Sequence, residues 1–387
     1  MSVTSAKENT HKARHAAWLE LFFDLVFVGL ASQLSHGLHG DPSLAEFAVF
    51  LGLYFPPWWL WVNITVSVNL FADDTARRRL LVLSAMVFLA MMAAAVPEAS
   101  GDRGAVYALG YAGTRLVLLG LWWPATRLPG KERVAVWRPV TYCLGSGLLW
   151  ALSALVPTPW RHVMWAVLIA AELALLLSGT GRGLPRRLHT GYLVERVGLF
   201  VILVLGESVL ALITSTDHVW TAEAGVVALL GFVLLAALWW SYFDFGAASI
   251  ELLLGTAHER LTYPLSRDVA GFLHFFVTAA IISLSAGLAT AVDEAGHPHL
   301  PTGALVALGG SLALYHAAHA CIALRFGATI GRVAAWAVPG VALPLLVALF
   351  GEHLAPWLVV LLLTAEAVAH LLYARVTTAR RRAAGSL

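Results

Sequence analysis

Charged side chains recur inside long apolar stretches of this 387-residue chain, where a bilayer interior would exclude them. Glu20 and Asp24 lie four residues apart, which places them on one face of a helix. Glu195, Arg196 and Glu207 lie along a second apolar stretch. A charge at the bilayer centre costs about 3 kcal/mol or more, and therefore usually marks a functional site. We expect these five side chains to face the interior of the protein and to carry its chemistry.

Glu207 follows Gly206 deep inside its apolar stretch and is the predicted proton-exchanging group. Arg196 precedes Glu207 by eleven residues. Eleven residues make about three helical turns, so the two side chains lie on nearly the same face of the helix. The two side chains are too far apart to pair directly. Each therefore needs a partner on another helix, and Gly206 lets such a helix approach closely.

Two more candidate catalytic residues are Asp244, near the predicted end of the eighth apolar stretch, and His274, in the ninth. Histidine titrates near neutral pH, which suits proton transfer. His316 and His319 are three residues apart, but no third metal ligand lies near them in the sequence. The pattern therefore favours hydrogen bonding between helices over metal binding at these two histidines.

Asn69, Asp73 and Asp74 form the candidate metal site, because their oxygen atoms suit a hard cation such as Mg²⁺. The alternative is that the two aspartates merely solvate a helix end. No cofactor is certain from the sequence, and Mg²⁺ belongs only to an enzymatic interpretation.

Composition indicates the elements that position these residues. Apolar residues make up 59% of the chain and charged residues only 12%, against about 25% charged in soluble domains, which excludes a soluble globule. Apolar runs long enough to cross a bilayer recur, and lipid permits such runs only as helices. The predicted fold is an all-α, polytopic transmembrane bundle of about twelve spans. The predicted spans are 17–38, 44–70, 80–97, 104–123, 139–156, 161–178, 192–215, 223–245, 268–291, 301–325, 333–350 and 355–375.

Basic residues predict the orientation of this bundle. Of the 25 lysines and arginines, 21 fall in one alternate set of loops and two, Arg103 and Arg161, in the other set. The positive-inside rule therefore places both termini in the cytoplasm. Cys143 and Cys321 both fall in apolar runs, so no disulfide framework is expected.

The two halves of the chain share weak similarities. Histidine, aromatic and glutamate residues open both the first and the seventh span, and a tryptophan pair occurs in both the second and the eighth. We predict a six-helix half at 17–178 and a second at 192–375, between a cytoplasmic tail at 1–16 and a basic tail at 376–387. These halves would form a parallel 6+6 repeat, as in many transporters; chance similarity is the alternative.

Four segments resemble the bacterial low temperature requirement A family. They are Trp18 to Val28, Asn69 to Asp74, Glu195 to Ser208 and Trp239 to Asp244, which occur in family order. The resemblance implies a multi-span inner-membrane protein with these acidic positions in common. It implies no settled activity, because the family is named for a growth phenotype.

Three functions fit these observations. The first is a proton-coupled secondary transporter with an intramembrane carboxylate site. The alternative is a membrane-embedded enzyme that acts on a lipid or isoprenoid diphosphate, by Mg²⁺-dependent prenyl transfer or terpene cyclisation. The third is a non-catalytic stress-adaptation protein. The expected partners are the lipid bilayer and a small-molecule, lipid or isoprenoid ligand, with no nucleic acid; the oligomeric state is not predicted.

Overall fold

A computed structural model describes residues 18–71, 75–129, 133–177 and 188–383, and these residues form helices and no strands. Ten of the helices in these ranges are long and apolar enough to cross a membrane. We number all the long helices α1 (Trp18–His36), α2 (Leu44–Leu70), α3 (Ala76–Glu98), α4 (Gly104–Arg127), α5 (137–153), α6 (Trp160–Leu177), α7 (Thr190–Val219), α8 (Ala222–Thr256), α9 (Leu261–Asp293), α10 (Thr302–Arg325), α11 (Ile330–His353) and α12 (Pro356–Arg380).

The predicted all-α, polytopic bundle is confirmed. Helices α5 and α6 occupy the predicted spans 139–156 and 161–178, but they are not among the ten that meet the length and apolarity of a membrane span. The predicted end of the eighth span at residue 245 is wrong. Helix α8 continues through a π-helical turn, Tyr242–Ala247, to Thr256. An exposed Asp244 can continue a helix at no burial cost, so it does not mark the helix end.

Helix α9 is the core of the bundle. Every residue from Phe275 to Val292 except Phe276 is buried, and α9 packs against α1, α2, α7, α8, α10 and α12. Its alanine, serine and glycine residues allow this close packing. At Gly287 an added Cβ would lie 2.9 Å from the backbone nitrogen of Leu308 on α10. Groups on α9 are therefore held at fixed positions relative to most of the other helices.

The connection between α1 and α2 is tied to the ends of α9 and α10. The backbone N–H of Gly40 donates to the Thr290 hydroxyl at 2.9 Å. The backbone N–H of Gly303 donates to Asp41 Oδ1 at 2.6 Å. These bonds join the first part of the chain to the second at the end of the bundle where α1 finishes and α10 begins.

A buried ion pair holds α4 and α6 together. Arg115 on α4 pairs with Glu172 on α6, and both side chains are almost completely buried. The Tyr111 hydroxyl donates to Glu172 Oε2 at 2.7 Å, and the Ser146 hydroxyl of α5 donates to the other carboxylate oxygen. Arg115 and Glu172 therefore neutralise each other in the interior of the bundle.

Candidate functional site

Asp24 and Arg196 form a bidentate ion pair at the contact between α1 and α7. Arg196 Nη1 lies 2.6 Å from Asp24 Oδ2, and Nη2 lies 2.7 Å from Oδ1. The indole N–H of Trp61, on α2, donates to Asp24 Oδ1 at 2.8 Å. Asp24 is 0% exposed and Arg196 is 2% exposed. The two opposite charges therefore neutralise each other in the interior and tie three helices together.

Glu20 lies one turn before Asp24 and joins α1 to two other helices. The Tyr192 hydroxyl on α7 donates to Glu20 Oε2 at 2.7 Å. Arg78 Nη2, on α3, lies 3.3 Å from Glu20 Oε1. Arg78 also donates to the carbonyl of Phe71 at 2.9 Å, which ties the end of α2 to the same group. Glu20 is thus an anchoring acid that already has a cationic partner.

Glu207 has a different environment from Asp24 and Glu20. It is 4% exposed and lies eleven residues beyond Arg196, about 16 Å along α7. The Ser285 hydroxyl of α9 donates to Glu207 Oε2 at 3.3 Å, and the Ser32 hydroxyl of α1 lies beside the same carboxyl group. The ionisable side chain near Glu207 is His36. No arginine or lysine is among the contacts described for Glu207. Hydroxyl groups are therefore the direct partners of this carboxyl.

His274 and Asp244 lie apart from these acids. His274 Nδ1 is 2.7 Å from the Val269 carbonyl, which can only accept, so Nδ1 carries the proton. Its Nε2 lies 3.0 Å from the Tyr242 hydroxyl, which can donate to it. Asp244 is exposed and accepts from the indole of Trp240 at 2.6 Å, one turn earlier on α8. Both residues have local partners, and the structure does not bring them to Glu207.

Asn69 ties the end of α2 to the start of α7. Its Nδ2 donates to the His189 carbonyl and its Oδ1 accepts from the His189 N–H, both at 2.9 Å. Asp73 and Asp74 lie outside the described residues, so the proposed Mg²⁺ site is untested. Glu195 is partly buried on α7. The catalytic and metal-binding roles of all these residues stay predictions.

A cavity of about 170 Å³ lies between α2, α5 and the first turns of α9. Its lining includes Trp59, Trp61, Arg138, Tyr142, Arg267 and Gly271. Two π-helical segments, Val140–Gly145 in α5 and Arg267–Leu273 in α9, contribute to this lining. Single π-helical turns are common at functional sites. The sequence did not identify four of these lining residues, because only helix packing brings them together: Arg138, Tyr142, Arg267 and Gly271.

Apolar helices, a buried ion pair and an internal cavity define a polytopic membrane protein. Residues 15–375 match the family described as bacterial low temperature requirement A protein (LtrA), and the chain belongs to this family. The resemblance found in the sequence is thereby confirmed. The chain is also 30% identical over 250 residues to Uncharacterized protein RA0937 of Rhizobium meliloti (strain 1021). That alignment covers 62% of this chain and 61% of the relative, so the chain matches less than two thirds of the relative's length.

Proposed function

We propose that this protein is a proton-coupled secondary transporter of the bacterial plasma membrane. Glu207 carries the proton, and the cavity between α2, α5 and α9 holds an amphipathic organic anion. The observation that carries the proposal is the environment of Glu207, a buried carboxyl that accepts from the Ser285 hydroxyl and has the Ser32 hydroxyl beside it.

Hydroxyl partners allow Glu207 to gain and lose a proton, because a hydroxyl can donate to a carboxylate and accept from a carboxylic acid. Protonation of Asp24, in contrast, would leave the Arg196 charge buried and unpaired, which costs about 3–5 kcal/mol. The charged group that acts on Glu207 among the described residues is His36, which is exposed, so protonation of Glu207 leaves no buried cation unpaired. It is therefore the buried acid on α1 and α7 best placed to cycle between its two forms.

The lining of the cavity supports an anion with an apolar body. Trp59 and Tyr142 provide aromatic surface, with the Trp59 indole donating to the Tyr142 hydroxyl at 3.0 Å. Arg267 lies in the lining, and its Nη2 is 2.7 Å from Asp268 Oδ1. Arg325 Nη2 is 2.8 Å from the other oxygen of the same carboxylate. One carboxylate is thus divided between two guanidinium groups. The surplus positive charge favours an anionic solute.

Helix α9 provides the link between the proton site and the solute site. Ser285 of α9 contacts Glu207, and Gly271 of α9 lines the cavity, fourteen residues or about 21 Å earlier. A shift of α9 when Glu207 changes charge would therefore alter the cavity wall. Two sites that bias one structural element are the physical basis of coupling.

The test is uptake of radiolabelled benzenesulfonate into proteoliposomes under an imposed pH gradient. This probe has an aromatic body and a permanent negative charge, so it does not cross lipid as a neutral acid. We expect uptake that depends on the gradient in the wild type and in Glu223→Gln, an exposed acid at the start of α8. We expect no gradient-driven uptake in Glu207→Gln. Equal uptake by both variants would show that Glu207 is not the coupling group.

The same cavity favours one alternative, since an aromatic pocket beside arginines also fits an isoprenoid diphosphate. In that case Asn69, Asp73 and Asp74 would hold Mg²⁺ near the diphosphate. Incubation of the purified protein with prenyl diphosphates and Mg²⁺ tests this function directly. A product that requires Mg²⁺, without benzenesulfonate transport, would replace the transporter proposal.

A further inference from the structure

Three side chains that could ligate a metal meet between α10 and α12. His316 lies on α10, and Glu366 and His370 lie one turn apart on α12. His370 Nδ1 is 2.7 Å from Glu366 Oε1, and His316 Nε2 is 3.4 Å from Glu366 Oε2. One nitrogen or oxygen atom from each residue lies within 4.8 Å of the other two. Three potential ligand atoms therefore converge on one point inside the bundle.

The protonation of His370 follows from its second nitrogen. Nε2 lies 2.8 Å from the backbone carbonyl of Trp336 on α11, and a carbonyl can only accept, so Nε2 carries a proton. In the neutral ring Nδ1 then has a lone pair directed toward Glu366 Oε1. Two lone pairs at 2.7 Å repel each other unless a proton or a metal cation lies between them. A carbonyl that fixes the tautomer in this way is the usual outer partner of a metal-binding histidine.

The potential ligand atoms of His316 and Glu366 have no hydrogen-bond partner among the described residues. His316 is 5% exposed, and its Nε2 has no hydrogen-bond partner among the described residues. The same holds for both carboxylate oxygens of Glu366, despite the short distances to the two rings. Buried polar atoms are nearly always paired, because an unpaired one costs about 1–3 kcal/mol. Three such atoms that face each other at short distances fit a shared cation between them.

Gly340 on α11 makes room for the two rings. A Cβ at this position would lie 2.9 Å from His316 Cγ and 2.9 Å from His370 Cε1. That is closer than side-chain carbons approach in proteins, so any larger residue would displace one of the rings. The position of both imidazoles thus depends on the absence of a side chain at Gly340.

We propose that His316, Glu366 and His370 bind a divalent transition metal, with Zn²⁺ as the best match. Two imidazole nitrogens and one carboxylate oxygen form a ligand set of known zinc sites, with the fourth position open. Mg²⁺ and Ca²⁺ prefer sites made of oxygen alone. The site is distinct from the proposed proton site and stands independently of the transport proposal.

The proposed ligand set differs from the histidine pair that stands out in the sequence, because only His316 of that pair belongs to it. His319 is not part of the cluster, since its Nδ1 lies 2.9 Å from the Tyr315 carbonyl and its ring packs against Tyr242. Helix α12 supplies Glu366 and His370 in its place. His319 is therefore a matched control, because it is a partly buried histidine on α10 outside the cluster.

The experiment measures zinc in the full chain, purified in detergent with a tag that contains no histidine. The protein is stripped with a chelator, given Zn²⁺, passed through a desalting column and analysed by elemental mass spectrometry. We expect one zinc per chain in the wild type and in His319→Gln, and none in His316→Gln or His370→Gln. Competition with a chelating dye should show affinity lower by more than about 100-fold in these two, since loss of outer partners alone costs 10–100-fold.

Gly340→Ala keeps all three ligands and tests the geometry if a ligand variant does not fold. We expect weaker zinc binding in this variant, because one imidazole must move. Cobalt substitution gives a second readout, a visible absorption band in the wild type that is lost in His370→Gln. Substoichiometric zinc in the wild type, or equal zinc in the wild type and both ligand variants, would overturn the proposal. The cluster would then be a group of side chains that share a proton.

Discussion

Replacing Asp24 by asparagine tests whether the ion pair with Arg196 holds the bundle together. Asparagine keeps the shape of Asp24 and an acceptor for the Trp61 indole, but it removes the negative charge. The Arg196 guanidinium would then be buried and 2% exposed without its counter-ion. Breaking a buried pair by removing one partner costs about 3–5 kcal/mol. At about 2 °C per kcal/mol for a large domain, we expect the melting temperature to fall by about 6–10 °C.

The double variant Asp24→Asn with Arg196→Gln separates the unpaired charge from other effects. It removes the leftover cation, and replacement of a whole buried pair is often nearly neutral. We therefore expect the double variant to recover most of the loss seen in Asp24→Asn. The 15 tryptophans provide an intrinsic fluorescence signal for the melt in detergent. A double variant that melts below Asp24→Asn would refute the reasoning, because the two losses would then simply add.

Three further predictions concern other parts of the molecule. Glu207→Gln should melt within about 2 °C of the wild type, because an amide still bonds Ser285 and no buried cation loses a partner. A large fall in melting temperature would contradict this. Gly271→Leu should abolish quenching of tryptophan fluorescence by benzenesulfonate, because Gly271 lines the cavity and an added Cβ there already lies in contact with Val62, at 3.8 Å. Unchanged quenching would exclude this cavity as the binding site. Reporter fusions after residues 100, 158, 218 and 297 should all report outside, and cytoplasmic signals at two of them would refute the predicted orientation.

Much of the fold follows from the sequence, because apolar length and the exclusion of charge determine helices locally. The same reasoning identified Asp24, Arg196 and Glu207 as interior charges, and they are buried. The pairing of Asp24 with Arg196 joins residues 172 positions apart, which no local pattern encodes. Only the packing of α1 against α7 brings them together.

The candidate metal site shows the same limit. His316 was visible in the sequence as a buried histidine, but its partners lie fifty or more residues later on α12. The carbonyl of Trp336 and the space above Gly340 are contributed by a third helix. A ligand set spread over α10, α11 and α12 has no spacing that can be recognised before the helices are packed.

The bonds from the α1–α2 connection to α9 and α10 have a consequence for solute access. The cavity lies near the opposite end of the bundle, at the starts of α5, α7 and α9. If the chain is the transporter proposed above, this end of the bundle would have to open in the alternate state, and the Gly40–Thr290 and Asp41–Gly303 bonds would act as a gate. Two hydrogen bonds at about 1 kcal/mol each would then make the conformation with this end open about 30-fold less populated. Loss of the Asp41 side chain would remove one of these bonds. It would therefore raise the share of molecules whose solute site opens at the α1–α2 end of the bundle.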